Sequence, residues 1–171
     1  MTLQGFTVRD QIKFHEGLRL KVYRDSVDVP TIGWGRNMRT RPPQMDLGRF
    51  ISPASGLITI EEAQILFDFD FNEAFHRARR IVGPGLYDRL SDPRKAVLVD
   101  MAFNLGDRLA QFRRFIGRLQ IGNYEAAAFQ MSDSKWAHQV GPRSARLALM
   151  MGNDIPFKEA YHIIKERSKN E

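Results

Sequence analysis

Three side chains near the amino terminus have the types and spacing for acid–base chemistry: Glu16, Asp25 and Thr31. A helix over residues 7–16 puts Glu16 in its last turn, where the macrodipole disfavours an anion. A carboxyl in that place is suited to keep its proton near neutral pH, as a general acid must. Asp25 ends one predicted strand and Thr31 lies in the next. A tight hairpin centred on Asp28 sets them opposite one another, about 5 Å apart at Cβ. A carboxylate and a hydroxyl at that distance can hold one water between them. An acid on one side and a water-activating base on the other is the arrangement glycoside hydrolysis requires. Taken alone, the same residues are more simply a helix end, a turn aspartate and a strand threonine.

Other chemistries find no support. There is no G-x-S-x-G, and Gly33-Trp34-Gly35 lacks the third glycine of a dinucleotide loop. His15-Glu16 begins like H-E-x-x-H, but Arg19 stands where the second histidine belongs. His15, His76, His138 and His162 share no metal-ligand spacing, and there is no cysteine to serve as nucleophile, ligand or disulfide. The expectation is an active site without metal or cofactor. The 171 residues are 43% hydrophobic and 27% charged, which excludes disorder and allows one domain or two small lobes. No apolar run approaches the roughly 18–20 residues of a membrane span, and the amino terminus has no signal-peptide core. No stable membrane anchor is therefore expected. Lys+Arg number 26 against 20 Asp+Glu, a net charge of +6 that favours an anionic partner: nucleic acid, a membrane surface or cell wall.

The elements that must position the three residues read as α+β and mostly helical. Thr7 and Asp10 form a capping pattern, Val8 and Ile12 an apolar face, and Gly17 a stop. Residues 18–25 alternate apolar and basic, a strand signal, and residues 29–35 read as a second strand. Pro30 near its start predicts an edge position. Residues 36–58 contain Pro42, Pro43, Pro53, Ser55 and Gly56 and read as loop and irregular sheet. Thr59-Ile-Glu-Glu62 is a capping box opening a long helix, with Ala63, Phe67, Phe71, Ala74, Ala78 and Val82 on one face. Gly83-Pro84 ends it after about 35 Å. Residues 96–105 are apolar nearly all round, as in the centre of a bundle, and shorter helices follow. The last, from Phe157, is amphipathic and predicted to dock on the helical part.

The segment from His15 to Gly35, HEGLRLKVYRDSVDVPTIGWG, strongly resembles the active-site segment of bacteriophage lysozymes (endolysins) of the T-even and lambdoid type, glycoside hydrolase family 24. That family's pattern is Glu, eight residues, Asp, five residues, Thr, met here by Glu16, Asp25 and Thr31. The likeness continues at residues 58–63, 102–106, 136–139 and 142–146. It implies one lysozyme domain over 1–171: a small α+β catalytic lobe at 14–58, an interlobe helix at 59–82 and a helical lobe at 83–171, on which the helix at 7–16 packs. It implies an endo-acting muramidase that cuts the β-1,4 bond between N-acetylmuramic acid and N-acetylglucosamine in peptidoglycan. Glu16 would protonate the glycosidic oxygen, Asp25 would orient or deprotonate the water, and Thr31 would hold it. Asn104 matches a sugar-binding position, and Arg143 one that faces the catalytic Glu. Trp34 is a candidate to stack on a sugar ring.

Room for a water between acid and base, with carboxyls roughly 6.5–9.5 Å apart, predicts inversion. Two departures from the family stand out. Asp28 replaces a usual Gly at the hairpin turn, where Asp tolerates a left-handed backbone. Arg36 replaces a usual His that pairs with an Asp of the interlobe helix, and an Arg36–Asp70 ion pair is predicted. The basic run at Arg113, Arg114, Arg118, Arg143 and Arg146 reads as a solvated face that draws the enzyme to the anionic wall. By family analogy the protein is a monomer without a nucleic-acid partner. It gathers in the host cytoplasm before phage lysis and reaches the periplasmic peptidoglycan through a lesion made by a holin-type partner. The alternatives are an inactive wall-binding module and a basic nucleic-acid-binding domain.

Overall fold

The structure is a computed structural model and describes residues 6–169. In chain order it runs α1 (Val8–Glu16), β1 (Arg19–Arg24), β2 (Pro30–Gly33), β3 (Arg36–Asn37), α2 (Gln44–Leu47), α3 (Ile60–Val82), α4 (Pro84–Arg89) and α5 (Asp92–Leu105). A 3-10 turn at Gly106–Gln111 leads to α6 (Arg113–Gln120), α7 (Tyr124–Ser132), α8 (Lys135–Val140), α9 (Pro142–Asn153) and α10 (Phe157–Arg167). The class is the α+β, mainly helical one that the periodicities predict. The chain divides into two compact units, Arg9–Glu73 and the described residues on either side of it.

The division differs from the boundaries at 58/59 and 82/83, because α3 runs through it. From residue 9 onward the first helix falls in the same compact unit as the sheet. Its basic side chains explain why: Arg9 pairs with Asp68, and Lys13 bonds Gln64, both on α3. Arg9 lies 4.1 Å over Phe71 and Lys13 4.8 Å over Phe67, so cations on α1 cover the aromatic face of α3.

Within Arg9–Glu73 the strands form an antiparallel sheet in the order β1-β2-β3. β2 is therefore the middle strand, where Pro30 predicts an edge. Pro30 is tolerated because it is the first residue of the strand: its carbonyl still accepts from Met38 N–H at 2.9 Å, and the absent N–H falls at the end of the ladder. One face of the sheet packs into a core of Ile32, Met38, Ile51, Ile58, Ala63 and Leu66, with Leu20, Val22, Trp34 and Leu47 against it. Residues 36–58 contain the expected loop and irregular sheet and, in addition, a short helix. They hold β3 and α2, and then return to the free edge of β1 through Val22 N–H to Gly56 O and Ile58 N–H to Leu20 O.

α3 opens with the reciprocal cap its sequence announces. Glu62 N–H donates to Thr59 Oγ1 at 3.2 Å, and Thr59 N–H donates to Glu62 Oε2 at 2.8 Å. Further along, Asp70 anchors a buried charge network. Arg36 Nη1 donates to Asp70 at 2.9 Å, Arg36 Nη2 pairs with Asp46, and Arg36 Nε donates to Arg41 O at 2.9 Å. Arg41 binds both Asp70 and Glu73. A single guanidinium, 6% exposed, thus joins β3, α2 and α3. Arginine's fork reaches three acceptors at once, more than a histidine ring in that place has donors to serve.

In the other unit α5 is buried mainly over its second half, from Val97 onward, and α9 packs on α5, α7, α8 and α10. α10 docks through Phe157 and Ala160, with Phe6 stacked on Phe157 at 5.1 Å between ring centroids. Because Asp70 holds two arginines in a buried setting, Asp70→Asn is expected to cost about 3 kcal/mol of stability. A urea titration should show a lower midpoint at unchanged slope.

Candidate active site

Glu16 is the last residue of α1. The chain leaves the helix through Gly17 at φ 67°, whose N–H donates to Lys13 O, a left-handed helix stop. The Glu16 carboxylate lies against the backbone that follows β2. A Cβ placed on Gly35 would stand 2.8 Å from Glu16 Oε2, and Gly35 has φ 81°. Any side chain there would both strain the backbone and push the carboxylate away.

The hairpin that carries Asp25 and Thr31 is set one residue differently from the Asp28-centred prediction. The register pairs Tyr23 with Thr31 and Arg24 with Pro30, and Asp25 N–H donates to Val29 O at 3.0 Å. The turn therefore centres on Val27, and Asp25 lies diagonal to Thr31 on one face of the sheet, about 7–8 Å at Cα. The cause is the chemistry of Asp25 itself. Its Oδ1 accepts from Val27 N–H at 3.0 Å and from Val29 N–H at 2.8 Å, and Asp28 N–H returns to Asp25 O at 3.1 Å. A three-residue loop closed this way needs a left-handed residue before the second strand. Asp28 supplies it at φ 59°, helped by Arg24, which donates to Asp28 O at 3.1 Å.

This geometry sorts the oxygens of the site. Asp25 Oδ1 is committed to the turn, while Oδ2 has no partner among the described residues. Thr31 Oγ1 gives its proton to Val29 O at 3.0 Å, so towards a water it is an acceptor. An unoccupied carboxylate oxygen and a hydroxyl oxygen on one face suit a water with both its protons directed at protein.

Tyr23 is the neighbour that the spacing argument overlooks. It faces Thr31 across the ladder and shares a strand face with Asp25, as the period of two in β1 could have shown. The Arg19 guanidinium lies 4.3 Å over its ring. Burial raises the Tyr23 phenol above its ordinary range; Arg19 pulls the other way, and the negative charges of Glu16 and Asp25 add to the rise. The phenol is a neutral donor at any working pH.

The other candidates are placed as follows. Trp34 packs against the core, edge-on to Phe67 at 5.5 Å, with Lys13 Nζ 4.4 Å from its ring centroid. Arg36 and Asp70 form the buried network described above. Asn104, near the end of α5, accepts from Trp136 Nε1 at 2.8 Å. An indole only donates, so the contact fixes the amide with Nδ2 left to donate elsewhere. Arg143 is buried on α9 and donates through Nε to Asp100 at 2.8 Å. Glu16, Asp25, Thr31, Tyr23 and Gly35 thus lie together within Arg9–Glu73, whereas Asn104 and Arg143 belong to the helical unit.

A variant with Ala at Gly35 should fold yet lose about 100-fold in the rate of any reaction for which Glu16 is the acid, the usual cost of a catalytic group moved by an ångström. Near wild-type rates in that variant would show that the Gly35 gap does not seat Glu16.

Residues 13–149 match the family model described as Phage lysozyme. The pre-baseplate central spike protein Gp5 of Enterobacteria phage T4 is 30% identical over 160 residues, covering 86% of this chain and 28% of that protein. Two Dictyostelium discoideum proteins, probable T4-type lysozyme 1 and probable T4-type lysozyme 2, are 27% and 24% identical, each across 82% of this chain and 91% of its own length. The chain therefore spans about a quarter of the spike protein but nearly the whole of the T4-type lysozymes it resembles. With the match extending over most of its length, the chain belongs to the phage lysozyme family and carries that family's glycoside-hydrolase domain, of the lysozyme-like α+β fold.

Proposed function

We propose that this chain is an endo-acting muramidase that hydrolyses the β-1,4 bond between N-acetylmuramic acid and N-acetylglucosamine, with inversion. The observation that carries the reading is the division of labour within Asp25: one oxygen held by two backbone N–H groups, the other open beside Thr31. A water bound there gives one proton to Asp25 Oδ2 as its oxygen attacks the anomeric carbon. Glu16 passes its proton to the glycosidic oxygen as that bond breaks. The step leaves Asp25 protonated and Glu16 ionised, and exchange with solvent restores both. Because a water, not a carboxylate, makes the new bond, one displacement completes the reaction.

In this reading Asn104, its amide held by Trp136, donates Nδ2 to a sugar substituent. Arg143, held by Asp100, is a substrate-binding residue, and Trp34 borders the sugar. The protein works as a monomer without a cofactor. The net charge of +6 draws it to the anionic wall, so added salt slows it. The family's description as phage lysozyme and a relative from phage T4 favour a phage setting; in this reading the enzyme waits in the host cytoplasm. A holin-type partner then opens its way to the periplasmic peptidoglycan.

The test is clearing of a suspension of purified Gram-negative peptidoglycan by wild type and by Glu16→Gln, with the new reducing ends identified by mass spectrometry. Wild type is expected to clear it and leave muramic acid at the reducing end. The variant should be slower by about 10²–10⁴-fold, the contribution of a general acid. Glucosamine at the new ends, or equal clearing by both proteins, would overturn the assignment.

A further inference from the structure

We propose that Tyr23 positions the attacking water, as the hydrogen-bond donor to it. The inference rests on the muramidase reading and deepens it. A water at this site has two protons and two lone pairs to place. Asp25 Oδ2 takes one proton. Thr31 Oγ1 takes the other, because its own proton is already given to Val29 O at 3.0 Å. One lone pair must point at the anomeric carbon. The second then needs a donor, and neither Asp25 nor Thr31 has a proton to offer.

Tyr23 meets that need. It is the cross-strand partner of Thr31, and its side chain leaves the same face of the sheet as Asp25. It stands apart from the apolar face, where Leu20 and Val22 reach the core. Its hydroxyl makes no hydrogen bond among the described residues, although the ring is half-buried. Arg19 over the ring holds it in place without using the hydroxyl. Burial, against the pull of Arg19 and with the charges of Glu16 and Asp25 adding to it, raises the phenol's pKa and keeps it a donor. With three protein contacts the water has its remaining lone pair aimed, an ordering that acts on the chemical step and not on sugar binding.

Two measurements on the full chain test this. The first is turnover of Tyr23→Phe on soluble peptidoglycan fragments. The expected result is kcat lower by about 10–100-fold with KM and melting temperature unchanged, since Phe keeps the ring and its stacking with Arg19. Wild-type kcat, or a raised KM with kcat unchanged, would overturn the proposal. The second needs no activity: [13C]tyrosine NMR titration of wild type, Glu16→Gln and Asp25→Asn, with Tyr23→Phe assigning the resonance. The Tyr23 resonance is expected to titrate at lower pH in each carboxylate variant than in wild type, with Arg19 common to all three. An unmoved titration would show that the phenol does not face the carboxylates and would sink the proposal. If the titration moves but wild type leaves peptidoglycan intact, the muramidase reading fails. Tyr23's role in hydrolysis then falls with it, while its place beside Glu16 and Asp25 stands.

Discussion

Everything at this site depends on Asp25 Oδ1 accepting two backbone N–H groups from its own turn. The contacts, at 3.0 and 2.8 Å, close the hairpin and lock the carboxylate plane together. That leaves one oxygen pointing where a water can use it. A base on a long, free side chain would have to lose rotamer freedom at each turnover; here the loss is borne once, on folding. The same turn fixes the register, and the register sets Thr31 opposite Tyr23 and diagonal to Asp25.

The acid is positioned by a different device. Glu16 ends a helix whose cationic side chains grip α3, and its carboxylate rests in the gap left by Gly35. Helix and hairpin are tied to one another through α3 and the shared core. The Arg36 network extends that tie to β3 and α2, using a buried guanidinium against two carboxylates. Such a network is costly to desolvate, and each nitrogen of Arg36 has an acceptor in it: Asp70, Asp46 and the carbonyl of Arg41.

Much of this was legible in the sequence. The capping box at Thr59, the nearly all-round apolar character of residues 96–105 and the stop at Gly17 each act locally, and local signals survive without knowledge of the fold. The spacing of Glu16, Asp25 and Thr31 was also readable, because helix end and hairpin are short-range structures. The misreadings share a cause. Pro30 looks like an edge residue until β3, only two residues long, pairs beyond it. The hairpin centre moves by one because the Asp25 side chain, not only the backbone, closes the turn. The grip of the first helix on α3 is unreadable in the same way, because Arg9 and Lys13 find partners some fifty and more residues away. Tyr23 follows from the strand alternation it shares with Asp25, whereas the Gly35 gap has meaning only against the Glu16 side chain from another element.

The central claim is that an activated water, and no carboxylate, attacks the anomeric carbon. It is tested most directly by proton NMR of the reducing-end anomer in the first minutes of hydrolysis, before mutarotation mixes the forms. A β-linked substrate cut by a water oriented at Asp25 and Thr31 must release the α anomer first. Initial release of the β anomer would mean two displacements through a covalent glycosyl-enzyme. That result would contradict the assignment of Asp25 as a base.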